Sequence, residues 1–182
     1  LCSNPSYKIY YNTINIGGVS TNVKMPSFGF HRGRLKASDA IYSTGTIDLR
    51  NNIINNTRTG GVNKHYTIGN YYASSVTPYI WYSNFSKYNV LNADSSTIAY
   101  WLTPRTFASW KATSNSDSAS FTKVPITFAN NNNDLHLQAD TLITVIESGG
   151  VNITGYTNDF DFQSRPGPSG SINGGAHAPD IG

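Results

Sequence analysis

Residues 46–61 read TIDLRNNIINNTRTGG. Ile47 and Leu49 alternate with polar residues, and Ile53 and Ile54 follow after two asparagines. A period of two is the mark of a strand with one buried face. Asparagine is a poor strand residue, but it enters the left-handed backbone region more readily than most non-glycine residues. Its side-chain amide both donates and accepts, so one asparagine above another can form a hydrogen-bonded ladder. The stretch therefore predicts short strands joined by asparagine-bearing turns, the arrangement of a parallel β-helix. Ile14, Ile16, Ile47, Leu49, Ile53 and Ile54 would then point inward and stack in aliphatic rows. A β-sandwich with Asn-rich hairpins would produce the same local pattern and is the alternative.

Two other stretches align with this one. Tyr10-Tyr11-Asn12-Thr13-Ile14, Leu49-Arg50-Asn51-Asn52-Ile53 and Tyr82-Ser83-Asn84-Phe85-Ser86 place asparagines at Asn12, Asn51 and Asn84. These are the expected structural turn positions. Their separations of 39 and 33 residues suit stacked turns with loops of unequal length.

Composition agrees with an all-β chain. Only 13% of the 182 residues are charged, 38% are hydrophobic and 12 are tyrosines. Much of the remainder is Asn, Ser, Thr and Gly, which favour turns over helices. The length suits one domain with its own core. A net charge of +3 supplies no electrostatic footprint for nucleic acid. The densest basic run, His31-Arg32-Gly33-Arg34-Leu35-Lys36, reads as a solvated loop. No apolar run is long enough for a membrane-spanning helix. Cys2 is the single cysteine, so no disulfide forms within the chain. The low-charge, Asn/Ser/Thr-rich character points to an extracellular or cell-surface setting. Cys2 is also a position for lipidation, although no lipobox precedes it.

The second half is less repetitive. Tyr79-Ile80-Trp81-Tyr82 and Tyr100-Trp101-Leu102-Thr103-Pro104 read as aromatic strands. Thr106 to Lys111 reads as one or two helical turns, and Asn130 to Asp134 as a loop. Leu135, Leu137, Leu142 and Val145 form a strand-like set. From Gln163 onward Pro, Gly and Ser dominate, and proline removes ladder donors. The expected organisation is a β-helix domain over 1–162 and an irregular tail over 163–182 lying against it.

The run from Asp48 to Gly61, followed by Lys64-His65-Tyr66, resembles a signature of right-handed parallel β-helix proteins of Bacteroidetes and related environmental bacteria. Further matching segments are Phe107 to Trp110 with Lys111-Ala112-Thr113, Asp117, Asp134-Leu135-His136-Leu137 and Glu147-Ser148-Gly149-Gly150. Asp159-Phe160-Asp161, Arg165-Pro166-Gly167-Pro168 and Ala178-Pro179-Asp180-Ile181-Gly182 complete the order. The resemblance covers most of the chain. It implies a large, secreted, surface-associated protein of which this chain is one segment. The family continues past Pro-Asp-Ile-Gly with Ala-Asp-Glu and has glycine where Phe162 stands.

Several residues are candidates for chemistry. Asp159 and Asp161, at i and i+2 on a strand, would share a face and could hold calcium with Asn158 nearby. An Asp–Arg165 lock on the tail is the structural alternative. The remaining carboxylates are scattered, which argues against a polysaccharide lyase or hydrolase. His65 is a candidate general base, and His136 is expected to face away from the core. The four histidines lack metal-ligand spacing. Tyr79, Trp81, Tyr100 and Trp101 are candidate sugar-stacking residues, since one face of an aromatic strand must lie outside. Asn55-Asn56-Thr57, Asn84-Phe85-Ser86 and Asn152-Ile153-Thr154 match the glycosylation acceptor pattern, as an Asn-rich chain does by chance.

The expected function is a non-catalytic structural, self-assembling or adhesive role. Open solenoid ends would contact neighbouring turns or subunits. A glycan-binding module and a β-helix lyase or hydrolase are the alternatives.

Overall fold

The computed structural model describes residues 6–21, 25–34, 46–61, 64–72, 81–138, 145–167 and 178–182. The described residues are all-β apart from one short helix. Its elements are β1 (Ser6–Tyr10), β2 (Thr13–Ile16), β3 (Val19–Ser20), β4 (Ser27–Arg34), β5 (Thr46–Arg50), β6 (Ile53–Asn56), β7 (Thr59–Gly60) and β8 (His65–Tyr72). They continue with β9 (Ser86–Lys87), β10 (Val90–Ala93), β11 (Thr97–Trp101), β12 (Thr103–Thr106), α1 (Phe107–Ser114), β13 (Phe128–Asn130) and β14 (Asp134–Leu137).

The same unit of strands recurs and pairs in parallel with its predecessor. β1 lies beside β5 and β5 beside β9. β2, β6 and β10 form a second parallel sheet, and β4, β8 and β11 a third. β3 pairs with β7. Register in the second sheet is constant, with Thr13, Ile53 and Val90 in one row and Ile14, Ile54 and Leu91 in the next. Alternation sends the second row inward and the first outward.

Each of the three turns breaks at one left-handed residue. These are Tyr11 (φ 54°), Asn51 (φ 57°) and Tyr88 (φ 55°). An asparagine follows each of them, and these three form the ladder. Asn12 Nδ2 donates to Asn52 Oδ1, and Asn52 Nδ2 donates to Asn89 Oδ1, both at 3.0 Å. Of the predicted turn positions, Asn51 and Asn84 are left-handed turn residues as expected; what is corrected is Asn12, which is not left-handed, and the stacking of the three upon one another. Asn12 is a ladder residue, but Asn51 stands one place before the ladder as the left-handed residue. Asn84 (φ 63°) lies in a separate turn before β9, with its N–H donating to Asn115 O. The aligned segments are Tyr11-Asn12, Asn51-Asn52 and Tyr88-Asn89. A tyrosine tolerated in the left-handed region hid this match.

Two cores result. Ile47, Leu49, Ile54, Ile68, Leu91 and Ile98 pack between the sheets with Trp81, Phe85 and Trp110. β4 approaches this core closely, since a methyl group on Gly29 would stand 2.2 Å from Ile54 Cγ2. The outward row Ile53 and Val90 is covered by Val124, Phe128, Ile146 and Ile181, which form the second core. The described residues after Ser120 thus supply a layer over the β2–β6–β10 sheet.

The two edges of the stack differ. On the third-turn side, antiparallel β12 covers β11, and Leu91 N–H donates to Phe121 O. The reversal at Leu102 (φ 62°) makes the predicted Tyr100–Pro104 strand a hairpin. α1 then follows, capped by Thr106, whose side chain accepts from Ser109 N–H, and ended by left-handed Asn115. On the first-turn side, β1 and β2 are the edge strands of their sheets among the described residues.

Of the tail, residues 178–182 pack closely. Ile181 N–H donates to Ile146 O and Gly182 N–H to Asn51 O, and the Ile181 side chain is buried. The predicted strand over 79–82 is not found for Trp81 and Tyr82, while Tyr79 lies outside the described residues. His31 and Arg32 of the basic run belong to β4, not to a loop.

Candidate functional site

A groove of about 1160 Å³ opens beside the first turn. One wall is the β1–β2 corner, with Ile9, Tyr11, Asn12, Thr13 and Ile14. The opposite wall is β14 and the loop 158–167. Ile181 and Gly182 contribute to the lining beside Ile53.

The wall opposite the first turn is rich in carboxylates. His136 Nδ1 lies 2.5 Å from Asp134 Oδ1, and Nε2 lies 2.8 Å from Asp161 Oδ2. A carboxylate on each ring nitrogen calls for two N–H donors, which is the protonated imidazolium. The Asp134 hydrogen bond first, and the Asp161 bond second, push the His136 pKa upward. The same contact with His136 holds the Asp134 carboxyl below its ordinary value. The pair clips hairpin β13–β14 to the loop 158–167. Glu147, also in the lining, is pushed up by burial and then by the nearby Asp180 carboxylate.

Arg165 fastens the loop to the first turn. Its guanidinium lies 3.9 Å from the Tyr11 ring centroid, Nη1 donates to Asn158 O at 2.8 Å, and Nη2 donates to Gly182 O at 3.1 Å. Tyr11 donates its hydroxyl to Val151 O. The expected Asp–Arg165 lock is replaced by a cation–π contact and carbonyl acceptors.

The shared strand face expected of Asp159 and Asp161 is corrected by their backbone. They sit in a turn, with Phe162 N–H donating to Asp159 O and Phe162 left-handed at φ 62°. Strand alternation does not apply there. Asp159 Oδ1 accepts from Gln163 N–H at 2.7 Å, while Asp161 turns to His136. The two carboxylates serve different partners. Among the described residues no group of three His, Cys, Asp or Glu could hold a metal ion.

The predicted aromatic set is dispersed. Trp81 is 2% exposed, edge-on to Phe30, Phe85 and Trp110, and its Nε1 donates to Ser116 Oγ. It is a core residue and cannot stack on a sugar from solution. Trp101 packs against Trp110 and the first core. Tyr100 continues a row with Phe28 and Tyr66, whose ring centroids are 5.3 and 5.5 Å apart in sequence. The most exposed aromatics among the described residues lie elsewhere. Phe160 and Phe162 are 88% and 85% exposed, on the groove-side turn. The signal for them was present in Asp159-Phe160-Asp161-Phe162, where acids alternate with aromatics in a segment bounded by polar residues.

His65 is buried, with Nδ1 2.9 Å from Ser27 Oγ and Nε2 3.0 Å from Gly60 O. The carbonyl fixes the proton on Nε2, and Nδ1 accepts from Ser27. That is a structural histidine bridging β4 and β8. On the outer face of β5, Asp48 receives two hydrogen bonds from Arg50 at 2.5 and 2.6 Å and one from the Tyr10 hydroxyl. Burial pushes the Asp48 carboxyl up, but these donors outweigh it and hold the group below its ordinary value.

Chemically, the groove offers many acceptors, an imidazolium held between carboxylates, and a partly apolar wall. No helix among the described residues is long and apolar enough to cross a membrane. The chain matches no protein-family model, and no curated protein or solved structure matches it at a significant level.

Proposed function

We propose that the chain is a right-handed parallel β-helix module of an extracellular or cell-surface protein, with a structural, self-assembling or adhesive role and no catalysis of its own. The carrying observation is the asparagine ladder through Asn12, Asn52 and Asn89, kept in register across three parallel turns. Asn52 and Asn89 are fully buried and spend their amides on stacking one turn upon the next. Parallel crossovers in one sheet are right-handed in almost all proteins, which gives the hand. The resemblance to secreted bacterial β-helix proteins supplies the setting, with this chain as one segment of a larger polypeptide.

The test is the intact mass and assembled size of the native material, by mass spectrometry and light scattering. The expected result is a species well above the 19.8 kDa of this chain. A native 19.8 kDa monomer that releases reducing ends or unsaturated uronates from polysaccharide would overturn the reading.

A glycan-binding role is the second reading. It is favoured by Phe160, exposed in the groove lining beside Asp159 and Asp161, with Phe162 exposed two residues on. Sugars stack their C–H faces on such rings while polar neighbours bond the hydroxyls. Glycan binding unchanged by Phe160→Ala would count against it.

A further inference from the structure

The ladder defines what can stack on the open first-turn edge. Each asparagine receives donors from the turn before it and gives donors to the turn after it. Asn12 N–H and Nδ2 both donate to Asn52 Oδ1, each at 3.0 Å. Asn52 N–H and Nδ2 both donate to Asn89 Oδ1, at 2.9 and 3.0 Å. There is a returning bond as well. Asn52 Nδ2 donates to Ile9 O, and Asn89 Nδ2 donates to Leu49 O, each at 3.0 Å. The returning acceptor stands three residues before the previous ladder asparagine in both cases.

At the first turn the pattern is cut. Asn12 is exposed, and its Oδ1 has no donor among the described residues. Ile9 and Ile14 are only half-buried, whereas Leu49, Ile54 and Leu91 in the same inward rows are 1%, 0% and 0% exposed. Among the described residues β1 and β2 end their sheets on this side. The far side is closed by β12 and by residues 117–121, so a second copy cannot add there head to tail. Two copies meeting at their first turns would pair antiparallel and so could not continue the parallel register on which the ladder depends.

Resting on the β-helix reading above, we propose that the outer edge of β1 and β2 docks the terminal turn of a neighbouring β-helix module, added in parallel. The docking turn has the pattern apolar-x-apolar-x-x-Asn-x-apolar. Its asparagine donates N–H and Nδ2 to Asn12 Oδ1, and its carbonyl three residues earlier accepts from Asn12 Nδ2. Its apolar residues cover Ile9 and Ile14. Main-chain bonds to the edge supply affinity, and the asparagine fixes register.

The probe is a synthetic peptide of residues 46–56, TIDLRNNIINN, which carries this pattern within the chain itself. It is titrated into the intact chain to millimolar concentration, with amide hydrogen exchange followed by NMR. The expected result is one-to-one binding that slows exchange in β1 and β2. Replacing the peptide's ladder asparagine, Asn52→Ala, should weaken binding at least tenfold. No slowing at millimolar peptide, or equal protection by the Asn52→Ala peptide, overturns the proposal. Protection of the same amides by rising protein concentration alone identifies a second copy as occupant and also overturns it. Exchange at Ile53 and Val90 in the free chain separates the two ideas. Fast exchange there removes the β-helix reading itself, while slow exchange with an unresponsive edge removes only the docking turn.

Discussion

Asn52 donates its main-chain N–H and its side-chain Nδ2 to one acceptor, Asn89 Oδ1, at 2.9 and 3.0 Å. Both residues are fully buried. The bonds cross a gap between two turns that no solvent enters. Removing the Asn52 amide leaves Asn12 N–H, Ile9 O and Asn89 Oδ1 short of partners. An unsatisfied buried polar group costs about 1–3 kcal/mol, so Asn52→Ala should lose at least about 3 kcal/mol of unfolding free energy. Asn55 is a fair control, because it bonds Asn15 in a half-buried outer row. Asn55→Ala should lose about 1 kcal/mol or less. Urea denaturation of the two variants decides between them. Equal losses would mean that the ladder is not what couples the turns.

The ladder ends on a buried carboxylate. Asp117 accepts from Ser86 Oγ and Ser120 Oγ at 2.7 Å and from Trp110 Nε1 at 2.8 Å. Ser120 Oγ in turn accepts from Asn89 N–H. Asp117→Ala strands three buried donors and should cost about 3–5 kcal/mol, on the scale of a broken buried charge pair. Asp117→Leu matches the size of the removed group better but restores none of the acceptors, so it should fare no better than Asp117→Ala. The Trp110 environment gives a second readout, since its indole loses a bonded carboxylate. A shift in tryptophan emission without loss of stability would argue that the network only orients Trp110.

Strand class was legible in the sequence because it rests on local period, and so were the inward positions of Ile47, Leu49 and Ile54, but Ile53, expected inward beside Ile54, faces outward to the second core. Ile47, Leu49, Ile53 and Ile54 all fall in one core or the other. The equivalence of Asn12, Asn52 and Asn89 was not legible from identity alone. The conserved element of the turn is a left-handed backbone, filled by Tyr11, Asn51 and Tyr88. Asn51 drew the alignment because it suits that backbone, and Asn84 drew it for the same reason in an unrelated turn. The groove was illegible for another cause. Asp134, His136 and Asp161 meet only because Val124, Phe128, Ile146 and Ile181 bring their segments back over the outward row of β6 and β10. No local pattern encodes that return.

The placement of the aromatics separates stability from recognition. Trp81 fills the first core, so Trp81→Ala should destabilise by about 3–5 kcal/mol through lost burial and a cavity. Phe160 and Phe162 touch mainly solvent, so their alanine variants should stay within about 0.5 kcal/mol of the parent. Thermal unfolding of the three variants checks this directly. If the groove binds glycan, Phe160→Ala should weaken binding about tenfold while leaving unfolding unchanged, the loss of one stacking contact worth about 1.4 kcal/mol. A stable Phe160→Ala variant with full affinity would assign the exposed rings no part in binding.

The contact between β14 and the groove loop should depend on pH, with a sign fixed by its two kinds of group. His136 has a folded pKa above its ordinary 6.5, owing first to Asp134 and then to Asp161. Its contribution is therefore complete below 6.5 and is lost as pH rises through the raised value. Asp134 has a folded pKa below its ordinary 3.8, owing to His136. Its contribution is present above 3.8 and is lost as pH falls through the lowered value. The loop is held most firmly between these limits, in mildly acidic solution. Because the cluster is exposed, salt should weaken it. An NMR titration of the His136 ring should give a midpoint above 6.5, and Asp134→Asn should lower it more than Asp161→Asn. Amide exchange of the loop 158–163 should quicken as the ring loses its proton, and His136→Gln should remove that dependence. A midpoint at or below 6.5 would mean that the two carboxylates do not hold the ring in solution, and the wall opposite the first turn would then be open at every pH.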